Sequence, residues 1–149
     1  MAASSARQTL PTSTPGARLL ALFVGTGALA VLLLAASLAP AAEGHGTHTG
    51  LGLPACGWVV AFDTPCPTCG MTTSYAHAVR GDLLTAGKTQ PMGTLLAVLT
   101  ASIAVGGLHA AISGCRLDRF IDRLFTARFL WIGFGVALAA WIYKIATWT

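Results

Sequence analysis

Three long apolar stretches, separated by polar segments, dominate the pattern of the chain. Each runs for about 20 residues with at most one charged side chain, and a helix of that length, at about 1.5 Å per residue, crosses a hydrocarbon core of about 30 Å. The pattern therefore predicts three transmembrane helices. They cover residues 19–39, 92–112 and 129–148.

The polar stretches outside these helices differ from one another. Residues 1–18 are rich in Ala, Ser, Thr and Pro, which predicts a disordered tail before a single membrane domain at residues 19–149. Small residues after the first apolar run also allow a cleaved signal peptide over residues 19–42, but the length of the run and its flanking proline favour an uncleaved helix. Residues 115–128 fit either a short surface helix or a solvated loop.

Composition and charge support this interpretation and add an orientation. The chain is 54% hydrophobic and 9% charged, whereas soluble domains carry about 25% charged residues, so lipid is the expected surrounding. The net charge of +4 comes without a basic stripe interleaved with aromatic residues, which argues against nucleic-acid binding. Lys and Arg are denser in residues 1–18 and 115–128 than in residues 40–91. The positive-inside rule then places the N-terminus in the cytoplasm and residues 40–91 outside.

Residues 40–91 collect the groups that carry chemistry, including three of the four cysteines. Pro67 suits the first position of a helix, which would make Cys66 the N-cap and place Cys69 one turn later, with both sulfurs near N–H groups that favour the thiolate. A short amphipathic helix is expected after this knuckle. Its apolar face would hold Met71, Tyr75, Ala78, Val79 and Leu83, and its other face Thr73, His77 and Arg80.

Local signals then predict where this helix ends and the next ones begin. Gly81 offers a C-terminal stop, Asp82 a cap for a following turn, and Pro91 an acceptable first-turn residue for the second transmembrane helix. In the third apolar stretch, small residues four apart would permit close helix packing, and Lys144 is expected to snorkel towards the membrane surface. The small pairs are Gly133 with Ala137 and Gly135 with Ala139.

Zinc binding is one interpretation of the cysteines. Cys56, Cys66 and Cys69 would supply three ligands, since Cys-x-x-Cys is a common half-site, and His48 or His45 in a glycine-rich loop would supply the fourth. His77 is a poor candidate, because eight residues of helix separate it from Cys69 by about 12 Å of rise.

Thiol chemistry is the other interpretation. Cys66 and Cys69 form a Cys-x-x-Cys bracket like that of glutaredoxins, although no βαβ pattern surrounds it. A structural disulfide from Cys56 to Cys66 or Cys69 is the plainer alternative, and an outer compartment permits it. Cys115 is predicted at the opposite membrane face. No acid pair, Ser/His/Asp arrangement or phosphate-binding loop stands out, so enzymatic activity is not the preferred interpretation.

The cysteine pattern resembles a bacterial membrane family known as domain of unknown function 2752. The matching residues are Cys56, Cys66, Pro67, Cys69, Gly70, Met71, Thr72, Gly81, Asp82 and Pro91. Many members carry Arg where this chain has Thr73 and Asn where it has Gln90, and if that Arg has a role, Arg80 is the available substitute. The resemblance implies a small multi-span protein of the bacterial cytoplasmic membrane and supplies no established activity.

The sequence thus predicts an all-α membrane protein with three transmembrane helices plus a short amphipathic helix after a Cys-x-x-Cys knuckle. We expect a structural zinc or disulfide site that supports interaction or assembly, with a membrane protein or a second copy as partner. The first alternative is a membrane thiol–disulfide oxidoreductase using Cys66 and Cys69. A transport component for metals or small solutes is the second, disfavoured by the small number of spans.

The predicted orientation has a direct test in intact cells. A membrane-impermeant thiol reagent should label reduced Cys56, Cys66 or Cys69 and spare Cys115, because only residues 40–91 are expected outside. Mass spectrometry of the labelled chain reads this out, and permeabilised cells give the control in which Cys115 also reacts. Labelling of Cys115 alone in intact cells would reverse the orientation.

Overall fold

The fold is all-α throughout the ranges that the structure describes. A computed structural model describes residues 14–115 and 126–148, and these contain no β-strand. The α-helices are α1 (Pro15–Ser37), α2 (Gly57–Phe62), α3 (Met71–Ala78), α4 (Leu83–Thr89), α5 (Pro91–Ser113) and α6 (Ala127–Ala146), with a 3-10 helix at Thr47–Leu51. The protein is therefore an all-α membrane protein, as the sequence predicts.

Helices α1, α5 and α6 are each long and apolar enough to cross a membrane, which confirms the three predicted spans. Helix α1 begins earlier than expected, at Pro15, within the stretch predicted to be a tail. The reason is a local cap, because the Thr14 hydroxyl accepts a hydrogen bond from the Ala17 N–H at 3.3 Å. Residues 1–13 of the predicted tail and 116–125 of the predicted surface segment lie outside the described residues.

Helices α1 and α5 form the main packing unit, and two glycines set their separation. A Cβ added to Gly25 would lie 2.9 Å from the backbone nitrogen of Leu108, and one added to Gly107 would lie 2.9 Å from the carbonyl oxygen of Ala21. The two backbones therefore touch where neither residue has a side chain. In a lipid environment, such close packing is a main source of helix association.

Two arginines fix the ends of this antiparallel pair. The guanidinium of Arg18, at the start of α1, donates to the carbonyls of Ala111 and Ile112 at the end of α5, at 3.0 and 2.8 Å. Arg80 donates to the carbonyls of Ala36 and Leu38 at the end of α1, at 2.9 and 2.7 Å. Each arginine satisfies carbonyls left unpaired at a helix C-terminus and places a positive charge at the negative end of its dipole.

The segment between α1 and α5, residues 38–90, lies over one end of this pair, and we call it the cap segment. Helices α3 and α4 are its main elements, separated at Gly81, which adopts φ of +82°. Asp82 caps α4 by accepting from the Thr85 N–H at 3.1 Å, and Pro91 occupies the first turn of α5. These three local predictions are confirmed.

The buried face of α3 is not its apolar stripe. Thr73 and Ser74 are fully buried, whereas the expected apolar stripe is only half-buried and Leu83 is exposed. The hydroxyls make this burial favourable because each has partners: Thr73 pairs with Thr47 at 2.7 Å, and Ser74 with the carbonyls of Ala86 and Gln90. Helix α3 thus packs through hydroxyl groups against the 3-10 helix, α4 and α5.

Helix α6 touches the rest of the protein mainly at its C-terminal end. Trp141 Nε1 donates to the carbonyl of Pro65 at 3.0 Å, and the Tyr143 hydroxyl donates to that of Lys88 at 3.1 Å, so this end meets the cap segment. A Cβ added to Gly133 or Gly135 would meet nothing within 4 Å. Within the described residues, the packing that these small residues would permit is not seen, and the close helix contact is made at Gly25 and Gly107 instead.

Substitution of the interface glycines tests this arrangement. Gly25→Ala and Gly107→Ala should each lower the free energy of unfolding by about 1–3 kcal/mol, because the added methyl group forces two backbones apart. Gly27→Ala and Gly106→Ala are matched controls, since a Cβ at either position meets nothing within 4 Å. Unfolding in mixed micelles with increasing SDS provides the measurement. Equal effects at all four positions would contradict the proposed contact.

Candidate functional site

The cysteine knuckle, which we define as residues 66–70, is a turn that precedes α3. The Cys69 N–H donates to the Cys66 carbonyl at 2.9 Å, and the Met71 N–H donates to the Thr68 carbonyl at 3.1 Å. Helix α3 begins only at Met71, with Gly70 as its N-cap. The expectation that Pro67 starts the helix and Cys66 caps it is therefore wrong, because Gly70 adopts φ of +83°, outside helical geometry.

The neighbours of Gly70 explain why a glycine occupies this position. A Cβ there would lie 2.7 Å from the carbonyl oxygen of Gly44 and 3.4 Å from the Lys144 ammonium nitrogen. The knuckle is thus covered by the loop after α1 and by the end of α6. Cys69, one residue earlier, is buried as a result.

Cys56 and Cys66 are the two cysteines that the structure brings together. Their sulfurs are 3.7 Å apart, and the Cys66 sulfur also lies 3.4 Å from the Thr68 hydroxyl. Cys56 is the N-cap of α2, so a cysteine does lie at a helix N-terminus, although not one of the two predicted there. A disulfide bond is about 2.05 Å long, so the two sulfurs would need to approach by roughly 1.6 Å to form one.

The surroundings give the thiols different acidities. The backbone N–H of Val59 has the largest effect and lowers the pKa of Cys56 below its ordinary value. Burial opposes it, and the N–H of Trp58 and the Cys66 thiol lower the pKa further. Burial raises the pKa of Cys69, and the neighbouring negative charge of a Cys66 thiolate would raise it further, while Lys144 acts in the opposite direction. Cys56 is therefore more readily deprotonated than Cys69.

The histidines proposed as zinc ligands have other neighbours. His45 packs against Trp148, with ring centroids 4.6 Å apart and the planes tilted by 44°, and it lies near Glu43. His48 Nε2 is 3.2 Å from the Pro54 carbonyl oxygen. His77 faces Asp82, with 3.4 Å between Nδ1 and Oδ2. Across residues 14–115 and 126–148, no three Cys, His, Asp or Glu side chains are grouped so that they could hold one metal ion. Zinc binding by the three cysteines stays a prediction.

Sequence reasoning missed the part that two buried residues play in the site. Gln90 is fully buried and donates from Nε2 to the Pro67 carbonyl at 3.2 Å, which ties the knuckle to the corner between α4 and α5. Its position immediately before Pro91 was the available signal. Lys144 is only 7% exposed, so the expectation that it snorkels outward is wrong. No pattern in the sequence indicates that it turns towards the knuckle.

The remaining motif residues have local roles. The Pro67 carbonyl receives the Gln90 amide, and Thr72 is half-buried in the first turn of α3. Gly81 and Asp82 separate α3 from α4, and Pro91 starts α5. Cys115 follows the C-terminal end of α5, remote from the cap segment, and is exposed.

The comparison with known families covers this part of the molecule. Residues 56–104 match the family described as Protein of unknown function (DUF2752). Over these residues, about a third of its length, the chain is similar to that family. The DUF2752 region begins at Cys56 and runs through the knuckle, α3 and α4 into α5, so it contains all three cysteines of the site. No curated protein matches the chain, and no solved structure does. The family description assigns no activity to the site.

The fit between Gly70 and Gly44 gives a testable prediction. Gly70→Ala and Gly81→Ala should both cost about 1–2 kcal/mol of stability, because each residue has a positive φ. Only Gly70→Ala also meets a backbone oxygen, which should add about 1–3 kcal/mol and expose Cys69. The rate at which N-ethylmaleimide alkylates Cys69 should therefore rise in Gly70→Ala and stay unchanged in Gly81→Ala. Equal rates in the two variants would contradict the assigned contact.

Proposed function

We propose that this multi-pass membrane protein has an interaction or assembly role, in which a Cys56–Cys66 disulfide holds residues 56–66 as a loop that contacts another membrane protein. The proposal rests on the 3.7 Å separation of the two sulfurs at the ends of this loop. A disulfide closing a loop of this length would stabilise the folded state by about 3 kcal/mol. The loop is taken to lie outside the cytoplasm, where disulfides persist.

The exposed surface of the loop supports an interaction role. Helix α2 buries none of its residues, and its apolar side chains include Val60 at 74% exposure, with Trp58 and Phe62 in contact at 5.1 Å between ring centroids. Exposed aromatic side chains near the end of a membrane bundle suit either a protein interface or the lipid surface. The proposed Cys56–Cys66 disulfide favours a protein partner over the lipid surface. A loop of fixed shape improves specific packing against a protein more than it improves partition into lipid.

A thiol–disulfide oxidoreductase is the second candidate, and the lowered pKa of Cys56 favours it. A deprotonated thiol next to a second thiol is the minimum arrangement for exchange with a disulfide substrate. This assignment shifts the reactive pair from the predicted Cys66 and Cys69 to Cys56 and Cys66. Zinc held by Cys56, Cys66 and Cys69 is a structural alternative to the disulfide and would need the three sulfurs to converge.

Photocrosslinking from the loop tests the interaction. Benzoylphenylalanine at Val60 should crosslink a second membrane protein, and the yield should fall about fivefold or more in Cys56→Ser or Cys66→Ser, because the free loop samples many conformations. The same probe at Ile112, which is 80% exposed on α5, controls for non-specific reaction, and Cys115→Ser controls for loss of a thiol. Crosslinks to the same chain would identify the partner as a second copy. Crosslinks to lipid alone would overturn the interaction role.

The same cysteine variants separate the structural and enzymatic roles. Loss of Cys56→Ser, Cys66→Ser or Cys69→Ser protein from the membrane supports a structural site, whereas normal abundance with lost thiol exchange supports the oxidoreductase. Zinc content and free thiols are measured on protein purified without chelator. Stoichiometric zinc with no disulfide would show that a metal site, and not a disulfide, holds the loop.

A further inference from the structure

Cys66 has two candidate disulfide partners, Cys56 and Cys69. Its sulfur is 3.7 Å from that of Cys56. On its other side, the hydrogen bond from the Cys69 N–H to the Cys66 carbonyl closes a turn, which keeps the two Cα atoms within about 7 Å of each other. Disulfides span Cα separations of about 4.4–6.8 Å. A single disulfide in this cluster therefore has two positions, both of which include Cys66.

Lys144 reaches this cluster from the last membrane helix. A Cβ added to Gly70 would lie 3.4 Å from the Lys144 ammonium nitrogen. The positive charge of Lys144 opposes the rise in the pKa of Cys69. The Gly44 carbonyl at 3.4 Å and the ring of Trp148, 5.9 Å from Nζ to its centroid, hold the ammonium in place. Gly70, which has no side chain, leaves the space that the lysine occupies.

The charge of Lys144 is not balanced by an acid in the described parts of the chain. Within residues 14–115 and 126–148, no carboxylate oxygen lies within 4.0 Å of its nitrogen. A buried ammonium is costly unless an anion accompanies it. Cys69, also 7% exposed, is the neighbouring side chain that can become anionic.

We propose that Cys56, Cys66, Cys69 and Lys144 form a thiol–disulfide exchange site, in which the Lys144 ammonium stabilises Cys69 as a thiolate leaving group. This inference rests on the proposed function and deepens it, since it describes how the Cys56–Cys66 disulfide is formed and broken. It also gives Lys144 a positioning role that neither the sequence pattern nor the family suggests.

The exchange step balances without a net oxidant. The Cys56 thiolate attacks the Cys66 sulfur of a Cys66–Cys69 disulfide, the bond between the Cys56 and Cys66 sulfurs forms, and the bond between the Cys66 and Cys69 sulfurs breaks. The electron pair of the broken bond stays on the Cys69 sulfur, beside the Lys144 ammonium. One thiolate and one disulfide are present before and after the step.

The first disulfide comes from a small-molecule or protein disulfide, which is reduced to two thiols as Cys66 and Cys69 are oxidised. This class of co-reactant needs access only to Cys66, which is partly exposed, and not to Cys69. Exchange then transfers the bond to Cys56 and closes the loop of residues 56–66. In the reverse direction it opens the loop without reducing the cluster.

The position of the disulfide at equilibrium tests the proposal. Full-length protein in detergent is oxidised with oxidised dithiothreitol, quenched in acid, alkylated and digested, and mass spectrometry gives the ratio of Cys56–Cys66 to Cys66–Cys69 disulfide. Both disulfides should be present in the wild type. Lys144→Met should shift the ratio towards Cys66–Cys69 by about tenfold, because the Cys69 thiolate loses its ammonium partner. Lys144→Arg should keep the ratio within about threefold of the wild type.

Each other outcome overturns the proposal in an identifiable way. An unchanged ratio in Lys144→Met means that the ammonium does not stabilise Cys69, and equal shifts in the Met and Arg variants mean that the lysine acts only by packing. Only Cys66–Cys69 disulfide in the wild type means that no exchange reaches Cys56. Circular dichroism of each variant confirms the fold, and Tyr143→Phe, which removes another contact between α6 and the cap segment, is the matched control. The crosslinking experiment at Val60 fails or succeeds independently of this ratio.

Discussion

The hydroxyl of Ser74 is the contact on which the arrangement of the cap segment depends. Buried completely, it reaches the carbonyls of Ala86 and Gln90 and the hydroxyl of Thr94, at 3.0, 3.1 and 2.9 Å. It thereby joins α3 to the end of α4 and the first turn of α5 through a hydroxyl that would itself be buried without a partner if these contacts were absent. Once α3 is held there, the knuckle at its N-terminus and Arg80 beyond its C-terminus both have defined positions.

The two ends of α3 then carry the connection to the rest of the bundle. At one end, Arg80 holds the last carbonyls of α1, and at the other, the Gln90 amide holds the Pro67 carbonyl of the knuckle. The Gln90 side-chain oxygen is buried with no hydrogen-bond partner in the described structure, which costs stability. Hydrogen bonds at both ends of α3 therefore join the cap segment to the membrane helices, while the Gln90 side-chain oxygen at this junction is left unpaired within the described residues.

The sequence alone predicts what depends on local chemistry. The three spans follow from apolar runs, and Gly81, Asp82 and Pro91 mark helix ends through their own backbone and side-chain preferences. The errors concern contacts between distant residues: Gly70 caps α3 because Gly44 and Lys144 crowd it, and Thr73 and Ser74 are buried because their partners come from other elements. The approach of Cys56 to Cys66, and of Lys144 to the knuckle, depends on how the whole chain folds, which periodicity and spacing do not encode.

The dependence of the site on α6 constrains the order in which the protein is built. Gly44 and Lys144, which meet beside the knuckle, are 100 positions apart in the chain, and Trp141 and Pro65 are 76 apart. The three cysteines are synthesised long before the helix that covers them. During synthesis, Cys69 consequently lacks its cover from α6 until the final helix has been made and has joined the bundle. The chemical environment of this thiol thus depends on whether insertion of the chain is complete.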